Sequence, residues 1–132
     1  SKTICTKIYY LNKIMHSVDL YYEVSMPDIF VVVHPVGTVI GRGKYSDNLV
    51  IYQNCTIGSN NEKYPEIGKN VILFAKSSVI GNCKIGNDVV IGTNSFIIDK
   101  TIKKSSKVFG NYPETKIQPL KNNIISNYFY DS

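Results

Sequence analysis

Residues 67–102 read IGKNVI LFAKSS VIGNCK IGNDVV IGTNSF IIDKTI, which are six consecutive units of six residues. The first position of every unit is aliphatic, and the fifth is small or β-branched. The first positions are Ile67, Leu73, Val79, Ile85, Ile91 and Ile97, and the fifth positions are Val71, Ser77, Cys83, Val89, Ser95 and Thr101. A period of six matches neither a helix nor a simple strand alternation. It is typical of a β-solenoid in which three units form one triangular coil and the first-position side chain fills the interior.

The same frame continues upstream over residues 33–62. Its first positions are Val33, Val39, Tyr45, Ile51 and Ile57. Residues 63–66 are a four-residue excess that separates the two runs, and the eleven units together predict between three and four coils. The alternative, a meander of short ordinary strands, does not account for six units without a phase slip. We therefore predict an all-β solenoid.

Two flanks complete a single predicted domain over residues 1–132, with coils over residues 18–101. In residues 1–17 an apolar side chain recurs at helical spacing, which predicts a short helix ending near His16. The apolar positions are Ile4, Ile8, Leu11 and Met15. After Thr101 the repeat fails because Lys103 occupies the next core position. Residues 102–132, with an aromatic run at 128–130, are predicted to cap the last coil, since a solenoid end must be covered.

The composition narrows the class of protein. The chain has 132 residues, 43% of them hydrophobic and 19% charged, which is an ordinary balance for one globular domain. Its longest apolar runs, residues 29–33 and 71–75, are too short for a transmembrane helix, and no signal peptide is evident. We expect a cytoplasmic protein. The net charge of +5 suits an anionic partner. The sequence has no nucleic-acid-binding motif, so we expect no nucleic-acid partner.

The three cysteines show no metal-site spacing, which predicts free thiols and no bound metal. Cys55 and Cys83 fall at fifth positions of the repeat, so core packing is a better account of them than catalysis. There are two histidines. His16 falls on the predicted helix, where a surface or local packing role is expected. His34 falls at an outward position in VVVHPVGTVIG, where a histidine followed by proline just before a glycine is an unusual use of the repeat.

Four motifs in order then carry a resemblance. They are HPVGTVIG at residues 34–41, YQNCTIG at 52–58, PEIG at 65–68 and GNYPETKI at 110–117. Together they resemble the catalytic half of the serine acetyltransferase family over about residues 17–118. The resemblance implies a left-handed parallel β-helix and a homotrimer with active sites between subunits. It also implies acetyl-CoA as the acyl donor.

The resemblance further implies the roles of individual residues. His34 matches the family's general base, and Asp19, fifteen residues earlier, matches the carboxylate that orients it. The alternative for Asp19 is a cap at the helix exit. Small residues along the coil edges would admit the pantetheine arm, and lysines would meet the phosphates, although solubility alone also explains each lysine. The cofactor residues so assigned are Gly58, Ser59, Ala75, Thr93, Lys100 and Lys116, with the Gly58-Ser59 backbone also expected at the oxyanion.

The acceptor side is assigned to Gln53, Asn54 and Tyr64, and here the chain departs from the family. Tyr64-Pro65 stands where the family has His-Pro, and the loop over residues 59–66 is shorter. Tyrosine cannot become cationic and is a poor partner for a carboxylate, so the sequence favours a sugar hydroxyl, as in capsule or lipopolysaccharide biosynthesis. The alternatives are serine O-acetylation and a non-catalytic trimeric scaffold. A carbonic anhydrase zinc site on the same fold needs three histidines and is set aside.

Overall fold

Residues 1–129 of the chain are described by a computed structural model. One helix, α1 (Lys2–His16), is followed by fifteen short strands and a 3₁₀ turn at Ile125–Asn127. The strands are β1 (Val18–Leu20), β2 (Phe30–Val32), β3 (Thr38–Ile40), β4 (Lys44–Tyr45), β5 (Leu49–Ile51), β6 (Thr56–Gly58), β7 (Glu66–Ile67), β8 (Val71–Leu73), β9 (Ser78–Ile80), β10 (Lys84–Ile85), β11 (Val89–Ile91), β12 (Phe96–Ile98), β13 (Thr101–Ile102), β14 (Ser106–Phe109) and β15 (Lys116–Pro119).

The strands form the three faces of a prism. Sheet A has the order β1-β3-β6-β9-β12, sheet C has β4-β7-β10-β13, and sheet B has β2-β5-β8-β11-β14-β15. Every pairing is parallel except that of β15 with β14. Because the chain visits the sheets in the order A, C, B, each circuit is one coil of a parallel β-solenoid. The edge between sheets B and A is called the B–A edge below, and the edge between sheets A and C is called the A–C edge.

The prism has about five coils, so the predicted three to four are too few. The first coil, residues 18–32, has strands in sheets A and B without a strand in sheet C, and it carries no hexapeptide signal. The last coil continues past Thr101, through β13 and β14, so the predicted coil boundary at residue 101 is too early.

The interior is filled as the repeat predicts. All six first-position side chains from Ile67 to Ile97 are buried, and so are the first five of the fifth positions. Burying one aliphatic side chain of this size contributes roughly 1.5–3 kcal/mol. Stacked rows of such side chains therefore supply most of the driving force for winding the coils.

Two parts of the frame are shifted by changes in corner length. Val39 lies opposite Asp19 and Thr56 on the outer face of sheet A, where 39% of it is exposed, while Ile40 is buried. Val33 likewise packs outside the prism. At the other end Ile102 is the buried residue, because it follows Ile97 by five positions instead of six.

Thr101 is therefore exposed, and Lys103 is not at a core position. The prediction that the repeat ends at residue 101 is wrong because a corner shortened by one residue restores the register.

Helix α1 ends where predicted, at His16, and Ser17 closes it in a left-handed conformation. Its apolar side chains do not pack on the prism: Ile4, Ile8, Leu11 and Met15 are all exposed. Ile8, Leu11 and Met15 line one side of a cleft of about 410 Å³ that Leu20 and Tyr22 close on the other side. Within residues 1–129, no helix is long and apolar enough to cross a bilayer.

The C-terminal region has two parts. Strand β15 pairs antiparallel with β14 and covers the last edge of sheet B. Residues 120–129, called the strap, then run back along the outer face of sheet B. Tyr130 of the predicted aromatic run lies outside the described residues.

Candidate active site

The corner that carries His34 differs from its equivalents in length. Ile40 follows Val32 by eight positions, whereas Ile57 follows Ile51 by six and Val79 follows Leu73 by six. The two additional residues form a wider corner on the B–A edge. His34 is exposed there and adopts a φ of 49°, a left-handed conformation that is uncommon for residues other than glycine.

Backbone bonds fix this corner to the coils on both sides. The Gly37 N–H donates to the Ser17 carbonyl (2.8 Å), and the Asn54 N–H donates to the Val36 carbonyl (3.0 Å). Gly37 has a φ of 72°, and a Cβ at this position would overlap the Asn54 side-chain oxygen. The corner therefore requires glycine at position 37 for both conformation and space.

The B–A edge brings several of the predicted site residues into one row. The Lys76 N–H donates to the Gln53 carbonyl (3.0 Å), and the Asn94 N–H donates to the Ala75 carbonyl (3.1 Å). Corners stacked in this way are about 4.8 Å apart, the usual spacing between hydrogen-bonded strands. The row contains His34, Gln53, Asn54, Ala75 and Thr93, and Lys116, paired with Phe109, lies at its far end.

Apart from Asp19, which lies on β1, the remaining predicted residues lie on the A–C edge. Gly58 ends β6, where its carbonyl accepts from the Gly81 N–H (2.9 Å), and Ser59 follows it into the loop before β7. Tyr64 lies in that loop, and Lys100 lies just before β13. A single chain therefore divides the predicted site between two edges that flank sheet A.

The loop over residues 59–66 is a tight hairpin. Asn60 and Lys63 exchange both backbone hydrogen bonds (3.1 and 2.9 Å), and Asn61 and Glu62 between them have φ values of 47° and 58°. Two consecutive left-handed residues define a type I′ turn, which closes two-residue hairpins. The Asn60 amide also donates to the Asp99 carboxylate (2.8 Å), so this loop is held against the last coil.

Asp19 is engaged by helix α1. The Tyr9 hydroxyl donates to one carboxylate oxygen (2.8 Å) and the Lys13 ammonium to the other (2.9 Å). The hydrogen bond from Lys13 has the largest effect and lowers the pKa of Asp19; burial opposes it, and the hydrogen bond from Tyr9 adds a smaller lowering. Within residues 1–129 no hydrogen bond joins Asp19 to His34, so the orienting role of Asp19 stays a prediction.

Tyr9 and Lys13 were not expected at the site. Both lie on the helix face turned towards β1, and their spacing of four residues is the only sequence signal that places them together. Gln53 has a second unexpected feature: its side-chain oxygen is shut off from solvent and has no hydrogen-bond partner among the described residues. A buried acceptor without a donor is uncommon in folded proteins and calls for a functional or structural reason.

The C-terminal lysines do not form one patch. Lys103 and Lys104 line a cleft of about 430 Å³ on sheet C, together with Lys44 and Lys84. Lys107 lies over the ring of Phe109 (4.8 Å to the ring centre) on another face. Within one chain these lysines therefore face different sides, and contact of Lys100 and Lys116 with phosphates stays a prediction.

The two repeat cysteines are core residues, as predicted. The thiols of Cys55 and Cys83 are buried, and each donates to a backbone carbonyl, of Phe74 and Ile80 respectively (3.2 Å in both cases). Burial raises the pKa of the Cys83 thiol, which disfavours the reactive thiolate.

Comparison with known proteins adds to this geometry. Residues 64–99 match the family model described as bacterial transferase hexapeptide (six repeats). Over these residues the chain carries the hexapeptide repeat. It is 38% identical over 80 residues to a serine acetyltransferase of Staphylococcus aureus (strain Mu50), a match that covers 57% of this chain and 38% of that protein. It is 40% identical over 70 residues to a serine acetyltransferase of Staphylococcus epidermidis (strain RP62A), covering 49% and 33%.

Solved structures give the same result for the fold. A serine acetyltransferase from Vibrio cholerae superposes with a TM-score of 0.82 at 22% identity, over 92% of this chain and 48% of that one. Isoform 3 from Entamoeba histolytica, in complex with cysteine, gives a TM-score of 0.71 at 30% identity, over 85% and 41%. The predicted left-handed parallel β-helix is confirmed. This hexapeptide-repeat chain spans less than two fifths of the length of the curated relatives it matches.

Proposed function

We propose that the chain transfers an acetyl group from acetyl-CoA to the hydroxyl of a small acceptor, with His34 as general base. The observation that carries the proposal is the lengthened corner that holds His34 exposed, in the motif shared with serine acetyltransferases. Neutral imidazole takes the hydroxyl proton as the oxygen attacks the thioester carbonyl. The C–S bond then breaks, the thiolate leaves, and the imidazolium returns the proton to it.

The donor would lie along the B–A edge. Ala75 and Thr93 present small side chains there in adjacent coils, which allows close approach of an extended chain to the backbone. Lys116 at the end of the row would meet a phosphate as a point charge. One similar solved structure is a serine acetyltransferase in complex with CoA, at 19% identity and a TM-score of 0.77.

The site would be completed by a second copy of the chain. The strap covers sheet B, and charged side chains line sheet C. The outer face of sheet A carries Val39 and Phe96, each more than a third exposed, in one row with the polar Asp19, Thr56 and Ser78. A cyclic trimer that packs sheet A of each copy towards the axis places the B–A edge of one copy beside the A–C edge of the next. His34 would then face a neighbouring copy's Tyr64, Gly58 and Ser59, and Lys100 would lie near the donor.

Serine is the first candidate acceptor, because the similar curated proteins are named serine acetyltransferases. The comparisons do not support the predicted sugar acceptor or a role in polysaccharide biosynthesis. One observation still favours a sugar as the second candidate. Tyr64, on the tight hairpin, supplies no cationic partner for the carboxylate of an amino acid, and a sugar hydroxyl needs none.

The test is a thiol-release assay with acetyl-CoA against serine and a panel of sugars. We expect serine turnover, and His34→Ala should lower kcat by about a hundredfold or more, since a general base contributes roughly 10²–10⁴-fold. His16→Ala is the matched control, because His16 is exposed on α1 and bonds only Asn12 among the described residues.

Turnover of a sugar but not of serine would select the second acceptor. His34→Ala with more than a tenth of the wild-type kcat would remove His34 as the base. If the protein forms trimers by light scattering but releases no thiol with any acceptor, the non-catalytic trimeric scaffold is the remaining function.

A further inference from the structure

The strap covers three neighbouring outward side chains of sheet B that are buried. Val50, Ile72 and Val90 are the middle residues of β5, β8 and β11 and point away from the interior, yet each is 5% exposed or less. The strap side chains packed on this row are Leu120, Ile124, Ile125, Tyr128 and Phe129. Three successive coils are therefore held by one segment of chain.

The strap ends beside the B–A edge. The rings of Tyr128 and Tyr52 meet edge to face with centres 6.1 Å apart, and their hydroxyls are hydrogen-bonded (2.5 Å). The Tyr52 ring packs in turn on Phe74, with centres 5.2 Å apart. Val33 belongs to the same cluster.

These contacts fall on the residues that immediately precede the candidate site in each coil. Val33 precedes His34, Tyr52 precedes Gln53, and Phe74 precedes Ala75. The Tyr52 corner is also bonded to the His34 corner, because the Tyr52 carbonyl accepts from the Thr38 hydroxyl (3.1 Å). A change in the Tyr52 ring position is therefore passed to Gln53 and to the coil below.

We propose that Tyr128 is a positioning residue: its hydroxyl holds Tyr52, and through Tyr52 it fixes the Gln53 corner that contacts the acceptor. This inference rests on the proposed function. The Gln53 side-chain oxygen is the second observation behind it, because it is buried beside this contact without a hydrogen-bond partner among the described residues, and such a group calls for a functional or structural reason.

The experiment compares Tyr128→Phe with Tyr112→Phe. Both changes delete one hydroxyl and keep the ring, but Tyr112 packs on Phe96 at the far end of the B–A edge, and its hydroxyl has no partner within residues 1–129. With serine as the acceptor, Tyr128→Phe should raise the KM about two- to tenfold, the range expected for one hydrogen bond. The kcat and the Kd for CoA should stay within twofold of wild type. Tyr112→Phe should change none of these values.

A double-mutant cycle separates positioning from simple stabilisation. Tyr52→Phe should raise the acceptor KM by a similar factor, and the double variant should add less than twofold, because both changes remove the same bond. A lower Tm with an unchanged acceptor KM in Tyr128→Phe would overturn the proposal and leave the strap a structural element.

Hydrogen exchange tests the positioning role of Tyr128 without requiring any enzyme turnover. The Asn54 amide, bonded to the Val36 carbonyl, should exchange at least about threefold faster in Tyr128→Phe than in Tyr112→Phe. If the wild-type protein releases no thiol with serine or any sugar, the proposed function fails while this measurement still reports on the corner. Equal exchange in the two variants would overturn the positioning role.

Discussion

Gly37→Ala is the most informative single change, because Gly37 supports the His34 corner without presenting a side chain to any substrate. Its φ of 72° lies in the region that L-residues disfavour, and the added Cβ would overlap the Asn54 side-chain oxygen. Strain of this kind costs about 1–3 kcal/mol. The Asn54 side chain can turn away from the added Cβ, but a φ of 72° stays strained for alanine. Relief of that strain shifts the corner itself.

A shift of about 1 Å in a catalytic group can lower a rate by about 10²-fold. We expect Gly37→Ala to lower kcat with serine by about that factor and the free energy of unfolding, from urea denaturation, by about 1–3 kcal/mol. Gly110→Ala is the matched control: its φ of 81° gives similar backbone strain, but the atom nearest to its Cβ would be the Glu114 carbonyl oxygen at 3.2 Å, in the last coil. It should lose similar stability and less than about threefold in kcat. Equal losses of kcat in the two variants would refute the reasoning that this corner positions the base.

Three further outcomes follow from the packing and the charges. Lys13→Met should raise the pKa of Asp19 towards its usual value, as measured by NMR titration of the carboxyl carbon, and an unchanged pKa would exclude the ion pair. Because this pKa is lowered in the folded protein, ionised Asp19 stabilises the fold above its unfolded pKa, and that stability is lost as the pH falls through the folded pKa. Phe96→Lys, on the outer face of sheet A, should reduce the mass in light scattering from that of a trimer towards that of one chain, whereas the same result with Lys107→Glu would point to another interface. Leu73→Ala should lower the free energy of unfolding by about 2–5 kcal/mol in urea denaturation, because it empties a fully buried position, and a loss below 1 kcal/mol would mean that the interior collapses around it.

The parallel strands and the interior could be predicted because a period of six fixes which side chains face inward. Corner lengths could not be predicted where neighbouring residues are both apolar: Val32 and Val33 are equally good core residues by type, and only the wider corner after them decides which one points inward. The first coil could not be predicted either, because it has no repeat signal. Its strand residues are recognised by pairing with the coil above, not by their own spacing.

The candidate site was predictable to the extent that its residues sit on repeat corners. His34, Asn54, Ala75 and Thr93 fall on one edge because equivalent positions stack, which spacing alone determines. The bonds from Tyr9 and Lys13 to Asp19 depend instead on the angle at which α1 meets the prism, which no local pattern encodes. The contact between Tyr52 and Tyr128 joins residues 76 positions apart, and only the path of the strap reveals it.

The strap also changes how the solenoid is expected to unfold. In a repeat protein each coil touches only its neighbours, so one end can fray while the rest persists. Here one segment rests on Val50, Ile72 and Val90 in three successive coils, and it can do so only while all three are wound. Loss of any one of these coils releases the strap from the other two. The chain should consequently unfold in a single cooperative transition between Val50 and Val90, with fraying confined to the first coil and α1.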